Sequence, residues 1–224
     1  MNPQPVTLSN DVVRLVPLAS LHAPALARVG LAAAIWRWIP TPVTTPDDMR
    51  AYVEIALDEQ RRGVALPFAI VDTASGEVVG STRYGSIDRP NRRLEIGWTW
   101  LAESHQRTAA NTAAKRLLLG HAFETLGALR VELKTDALNQ TSRNAILRIG
   151  ATEEGTFRRH MVCASGRVRD TVWFSIIDTE WPAVRERLDA RLEARRPASA
   201  AQLEARPLAP EARAATPPGP PPAA

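Results

Sequence analysis

Residues 94–126 read LEIGWTWLAESHQRTAANTAAKRLLLGHAFETL, and the rest of the chain is organised around them. Leu94, Ile96, Trp98 and Trp100 alternate with Glu95, Gly97 and Thr99, the period of two that predicts a strand. A polar, turn-prone segment follows from Ala102 to Thr108. Beyond it Leu118, Leu119, Ala122, Phe123 and Leu126 recur at three and four residues, one face of a helix.

A strand that runs through a turn into a helix gathers unpaired backbone N–H groups at one point. The first four helical amides have no partner inside the helix, and the helix dipole is positive there. Such an end suits a phosphate or diphosphate. Arg107 adds charge, and the small Thr108, Ala109 and Ala110 let an anion approach the backbone. The same residues also fit an ordinary strand–helix connection capped by Thr108 or Asn111. The residues of this stretch leave both readings open.

The run Gln106-Arg107-Thr108-Ala109-Ala110-Asn111, followed by Thr112, resembles the acetyl-CoA motif of the GNAT superfamily of N-acetyltransferases, Gln/Arg-x-x-Gly-x-Gly/Ala at a helix start. Gln106 matches the first position. Ala109 stands at the Gly position and Asn111 at the Gly/Ala position, so the cradle is tighter than with glycine, which brings no Cβ toward the phosphate. The resemblance implies acetyl-CoA as co-substrate and no metal. Gln106, Arg107, Thr108, Ala109, Ala110, Asn111 and Thr112 would hold the diphosphate. A backbone N–H of the strand at Trp98, Thr99 and Trp100 would polarise the thioester carbonyl.

Outward from this stretch, composition sets bounds. The chain has 224 residues, 45% of them hydrophobic, enough for one domain with a substantial core. The net charge of +4 and pI near 9.9 suit an anionic ligand. No lysine-rich or aromatic-interleaved patch of the nucleic-acid kind is present, so no nucleic-acid partner is expected. Cys163 is the single cysteine, which excludes an intrachain disulfide and a cysteine-based zinc site. Its place in an alternating strand favours a half-buried side chain over a reactive thiol. The first residues lack a charged start followed by an apolar run. No segment approaches the ~20 apolar residues of a membrane span. A cytoplasmic protein with no membrane partner is expected.

In chain order, Val12–Val16 reads as a strand and Pro17 to about Val29 as a helix. Trp36 and Trp38 then sit beside the proline-broken loop 40–46, as a wall of the core or of a substrate cleft. Thr45-Pro46-Asp47-Asp48 starts a helix striped by Met49, Tyr52, Val53, Ala56 and Leu57 and ended by Gly63. Strands at 67–72, 77–87 and 93–100, joined by short turns, form antiparallel hairpins. Gly80 and Gly97 hint at bulges or close backbone approach. After the central helix, a strand at 129–135 should run parallel to the one at 94–101. A helix at 140–149, a hairpin at 151–162 and 168–177, and a last helix to about Arg195 follow. The predicted class is α+β: a mixed, mainly antiparallel sheet flanked by helices, in the element order of the GNAT acyl-CoA N-acyltransferase fold. We expect one domain over 1–195 and a disordered Ala/Pro-rich tail over 196–224.

A second segment strengthens the resemblance and directs it to the RimJ/RimL-like branch: a strand, then Asn139-Gln140-Thr141-Ser142, then a helix closing at Gly150. The resemblance implies Asn139 on the pantetheine arm, Ser142 near the sulfur, and Arg143 beside them. Read by residue type alone, Asn139 and Ser142 only cap the helix. Ile146 stands where many of these enzymes place a tyrosine that protonates the leaving thiolate, so that role falls to Ser142 or to no residue. Glu95 is the candidate base and amine-binding group. The competing reading is an exposed carboxylate paired with Arg83 or Arg93. His105 and His160 are lesser candidates. Trp36, Trp38, Arg83, Arg158 and Arg159 are expected to line the acceptor site, where arginines suit a carboxylate-bearing amine.

The implied activity is transfer of an acetyl group from acetyl-CoA to a primary amine, of a small molecule, an amino acid or a protein N-terminus, in a ternary complex. A non-catalytic CoA-binding module is the alternative. A homodimer is consistent with the branch.

Overall fold

The structure, a computed structural model, describes residues 1–195; the expected tail lies outside them. Eight strands form one mixed sheet: β1 (Leu8–Ser9), β2 (Val13–Pro17), β3 (Leu66–Asp72), β4 (Val78–Asp88), β5 (Arg93–Leu101), β6 (Arg130–Asp136), β7 (Thr152–Val162) and β8 (Val168–Ile177). Their order is β1-β2-β3-β4-β5-β6-β8-β7. Every neighbouring pair is antiparallel except β5–β6. The exception follows from the helical crossover between those strands.

Six α-helices accompany the sheet: α1 (Ala23–Gly30), α2 (Ala33–Trp36), α3 (Pro46–Arg61), α4 (Ala110–Gly120), α5 (Gln140–Arg148) and α6 (Trp181–Glu193). Alternation along the strands sorts the core into two layers. Phe68, Ile70, Leu94, Ile96, Val131, Leu133 and Phe174 pack with Ala113, Leu118, Ile146, Trp181 and Leu188 of α4, α5 and α6. Ala69, interleaved in β3, and Trp100, turned over by an irregularity in β5, pack on the other face with Leu26, Trp36, Met49 and Val53. On that second face beyond β5, the alternate positions of β6 and β8 hold Glu132, Lys134, Thr171 and Trp173 instead of an apolar stripe.

Local signals explain most boundaries. Thr45 Oγ1 accepts from the Asp48 amide, and the Asp48 carboxylate accepts from the Thr45 amide, a reciprocal cap for α3. Gly63 ends that helix at φ 72°. Two expectations shift. The helix expected from Pro17 begins only at Ala23, because Pro17 stays in β2 opposite Phe68 and a short 3-10 turn follows. The two-residue β1 and four-residue α2 are too short to show a period in sequence. After α4 the backbone continues as a π turn over His121–Thr125, and the Tyr84 hydroxyl donates to the Leu118 carbonyl.

Candidate active site

The parallel pair β5–β6 is joined by three rungs only: Arg93 opposite Arg130, Leu94 opposite Val131, and Glu95 opposite Glu132. Both strands run on past Glu95 and Glu132, to Leu101 and Asp136, without further pairing to each other. A wedge opens between them, lined by backbone N–H and C=O groups.

At the wedge β5 bulges. Ser81 faces Trp100 and Arg83 faces Gly97, so Thr82 alone stands opposite both Trp98 and Thr99. Trp98 takes φ 49°, a conformation that costs a bulky residue energy and needs outside support. The support is visible. The Trp98 ring lies over Gly85, where an added Cβ would come within 2.3 Å of ring carbon Cζ3. The guanidinium of Arg83 sits 4.9 Å from the ring centroid and the Lys134 amine 5.8 Å. Tyr52 Oη donates to the Trp98 carbonyl at 3.4 Å. On the opposite face, Thr82 and Thr99 share a hydroxyl hydrogen bond of 2.7 Å, and Lys115 Nζ donates to Thr99 Oγ1 at 2.9 Å.

Past the wedge β5 leads to the mouth of α4. Arg107 adopts φ 63°, turning the chain sharply into the helix, with an exposed side chain. The first helical bond runs from the Ala113 amide to the Ala109 carbonyl. The Thr108 hydroxyl donates to the His105 carbonyl and accepts from the Ala110 amide, tying the turn. The N-cap position falls on Ala109 and no side chain caps the helix, so the cap expected from Thr108 or Asn111 is not formed. Gln106 Nε2 donates to the Leu101 carbonyl, which fixes the turn. Asn111 is half-buried and Thr112 buried on the first turn. Arg195, at the end of α6, donates to the Thr108 carbonyl at 2.7 Å and brings a second guanidinium to the mouth. This mouth fits a diphosphate: amides at a helix N-terminus, two arginines, and alanines that keep bulk away.

Glu95 is 2% exposed. It pairs with neither Arg83 nor Arg93. Its Oε2 lies 2.8 Å from Lys134 Nζ and accepts from Ser86 Oγ at 3.3 Å. Arg83 is engaged instead by Glu59 at 2.7 Å and is itself buried; Arg93 by Asp88 and Glu132, each at 3.1 Å. The expectation that Arg83 meets a substrate carboxylate is therefore corrected: its charge is spent on Glu59 and on two aromatic rings, Tyr52 and Trp98. Trp36 is corrected too. It is buried in the second core layer, its Nε1–H donating to the Gly30 carbonyl and its ring against Tyr52 and Trp100. Trp38 is half-buried under the guanidinium of Arg167, against the β7–β8 hairpin.

On the β6 side, Asn139 Oδ1 accepts from the Ser142 amide at 3.0 Å and caps α5. That engages its oxygen and leaves its NH2 out of the cap. Ser142 is half-buried in the first turn. Arg143 pairs with Glu153 at 3.2 Å. Ile146 is packed into the core. His105 contacts Ser104 and Asp72 at the turn, and His160 meets Phe157 and Trp173 edge-on on the outer hairpin.

Sequence reasoning missed Lys115, Lys134, Trp173 and Tyr52. Lys115 left a signal: it lies three and four residues before Leu118 and Leu119, on the buried stripe of α4. Burial lowers its pKa to about 7, against the opposing pull of the Glu95 carboxylate. Among the described residues, no three His, Cys, Asp or Glu side chains gather as a metal ion would require, and no helix is long and apolar enough to cross a membrane.

Comparison with known proteins gives consistent likenesses. The model of the acetyltransferase (GNAT) domain matches residues 13–152. The chain is 28% identical, over 141 residues, to the uncharacterized N-acetyltransferase p20 of Bacillus licheniformis, spanning 63% of this chain and 78% of that protein. It superimposes on a GCN5-related N-acetyltransferase from Brucella melitensis with a TM-score of 0.78 and 34% identity, over 85% of this chain and 86% of the other. It also superimposes on Mycobacterium smegmatis RimJ in complex with CoA-disulfide, with a TM-score of 0.73 and 27% identity, over 87% and 96% of the two chains.

Proposed function

The chain belongs to the GNAT acetyltransferase family, in its RimJ/RimL-like branch, and from that premise we propose that it moves an acetyl group from acetyl-CoA to a primary amine by direct attack in a ternary complex. The acceptor is a small molecule, an amino acid or a protein N-terminus. The observation that carries this reading is the wedge beyond the Glu95–Glu132 rung, opening beside the arginine-flanked mouth of α4.

In this reading the chain's residues divide the work. Arg107 and the amides of Thr108–Thr112, apart from that of Ala110, which donates to the Thr108 hydroxyl, hold the diphosphate. Asn139, Ser142 and Arg143 flank the arm on the β6 side. A backbone N–H at Trp98, Thr99 or Trp100 donates to the thioester carbonyl oxygen as it gains charge. Glu95 accepts a proton from the acceptor ammonium, directly or through water, so that the free amine attacks the carbonyl carbon. The carbon–sulfur bond breaks, the thiolate leaves, and the second proton shed by the nitrogen as it becomes an amide passes to that thiolate or to water. A thiol has a pKa near 8.5, so its departure asks less of a proton donor than an alkoxide would. That eases the absence of a donor at Ile146, where Ser142 is the nearest hydroxyl by sequence.

The test is release of free thiol from acetyl-CoA in the presence of a panel of amines, amino acids and short peptides. Turnover with any member supports the transferase. CoA binding without turnover across the panel supports a binding module instead. No heat on titration with CoA or acetyl-CoA overturns both.

A further inference from the structure

We infer that Lys115 is a positioning residue for acyl transfer: from the α4 side of the sheet its amine holds the Thr99 hydroxyl, and through it the bulge of β5 that borders the wedge. This rests on the proposed transfer reaction. The chain contains two lysines among 28 basic residues, Lys115 and Lys134, and every other cation is arginine. Both lysines flank the same five-residue segment, Glu95–Thr99. Lys134 pairs with Glu95 on one face, while Lys115 reaches Thr99 on the other.

The placement of Lys115 is costly as structure alone. It is 6% exposed, in a helix whose neighbouring positions Ala113, Ala114, Leu118 and Leu119 are core. Among the described residues its amine donates to Thr99 Oγ1 at 2.9 Å, while an ammonium has three protons to place. Burying such a group costs stability unless it is fully paired. Methionine would fill the same space without that cost. What the amine provides is a fixed Thr99. Thr99 Oγ1 also meets Thr82 Oγ1 at 2.7 Å and the Gly97 carbonyl at 3.4 Å, so one hydroxyl ties α4, β4 and both sides of the bulge together. Trp98 sits between these ties in its strained conformation. Loosening them lets the bulge relax, and the N–H facing the wedge loses its aim.

The experiment compares wild type with Lys115→Met, Lys115→Gln, Thr99→Val and the Lys115→Met/Thr99→Val double variant. For Lys115→Met we expect an unchanged or higher Tm together with a fall in kcat of about tenfold or more. The KM for acetyl-CoA should stay within about threefold, since the diphosphate site is untouched. Lys115→Gln, which keeps a donor, should recover part of kcat. The double variant should lose little beyond either single one, because both break the same link. Amide hydrogen exchange at Trp98–Trp100 should quicken in Lys115→Met, a readout independent of turnover. Wild-type kcat in Lys115→Met, a kcat loss that only tracks a lowered Tm, or unchanged exchange at the bulge would overturn the inference. Wild-type protein that binds no acetyl-CoA and acetylates nothing would instead overturn the transfer reading, with the exchange measurement still deciding whether Lys115 holds the bulge.

Discussion

Lys134 Nζ lies 2.8 Å from Glu95 Oε2 where β5 and β6 part company, joining the two strands by an ion pair two residues beyond the Glu132 that stands opposite Glu95. The Lys134 amine is also 4.9 Å from the centroid of Trp173. The pair sets the charge met by an incoming ammonium. Glu95 attracts it, and Lys134 offsets that attraction. Glu95→Gln should lower kcat/KM by about 100-fold or more, the usual scale for a lost general base, and flatten the rising limb of the pH–rate profile. Lys134→Met should act in the opposite sense on binding, lowering KM for a cationic acceptor a few-fold by leaving the carboxylate charge uncompensated. Steady-state kinetics across pH, with melts of each variant as controls, check both. An unaltered profile in Glu95→Gln removes Glu95 from the base role.

Arg107 is exposed at φ 63° beside the first turn of α4, with its guanidinium free to follow a diphosphate. A charge-assisted contact to phosphate is among the stronger single interactions. Arg107→Ala should raise KM for acetyl-CoA by about tenfold and leave the KM for the amine nearly alone. The wild-type affinity should fall with added salt more steeply than that of the variant. Equal KM values for acetyl-CoA in the two proteins would place the diphosphate elsewhere.

Much of this arrangement was legible in sequence because it depends on local pattern. Alternation over Leu94–Ile96 gave the face of those side chains, but the bulge after Gly97 turns the strand over, so Trp100 joins the opposite core layer. The switch of period at Thr108 located the helix mouth. The partner of Glu95 was not legible. Arg83 and Arg93 are adjacent in the hairpins, but Lys134 comes from a strand that reaches β5 only through the α4 crossover. For the same reason sequence leaves Trp36 open between a wall of the core and a wall of a cleft, and the structure places it in the core. Its neighbours Tyr52 and Trp100 come from distant segments, and nothing near Pro40 in sequence shows that they enclose it. Gly97 hints at the bulge, but that Trp98 takes the positive φ is not legible in sequence, since its support comes from Gly85, Arg83, Lys134 and Tyr52 on other elements.

Acid stability should depend on the Arg130–Glu154 pair that links β6 to β7. Glu154 is held down to about 2, chiefly by the Arg130 guanidinium, with a further hydrogen bond from Ser175 Oγ at 2.7 Å. Its folded pKa thus lies below the ordinary 4.5, so the unfolded chain takes up the proton first as pH falls. The stabilisation is complete above about pH 5 and is lost progressively toward about pH 2. Because Glu154 is 39% exposed in its side chain, the gain is small, about 1 kcal/mol or less. Glu154→Gln should lower Tm slightly at pH 6 and match wild type near pH 2. A gap that persists at pH 2 would mean that packing, not charge, accounts for the difference.

Asn139 tests whether the α5 turn is a cap or also a ligand contact. Its Oδ1 accepts from the Ser142 amide at 3.0 Å, so one oxygen suffices for the cap. Asn139→Asp preserves that oxygen, replaces the NH2 donor by an acceptor and puts negative charge at a helix N-terminus, where it is favourable. Asn139→Ala removes both groups and should cost about 1 kcal/mol of stability. A residue that only caps predicts wild-type KM for acetyl-CoA in Asn139→Asp and a loss of Tm in Asn139→Ala. A residue that also donates to the pantetheine arm predicts wild-type Tm but an acetyl-CoA KM raised about fivefold or more in Asn139→Asp, because an amide donor on the ligand side has become a repelling oxygen. We expect the second outcome. The cap uses the oxygen alone, and α5 begins where β6 has already left β5, on the open side of the wedge.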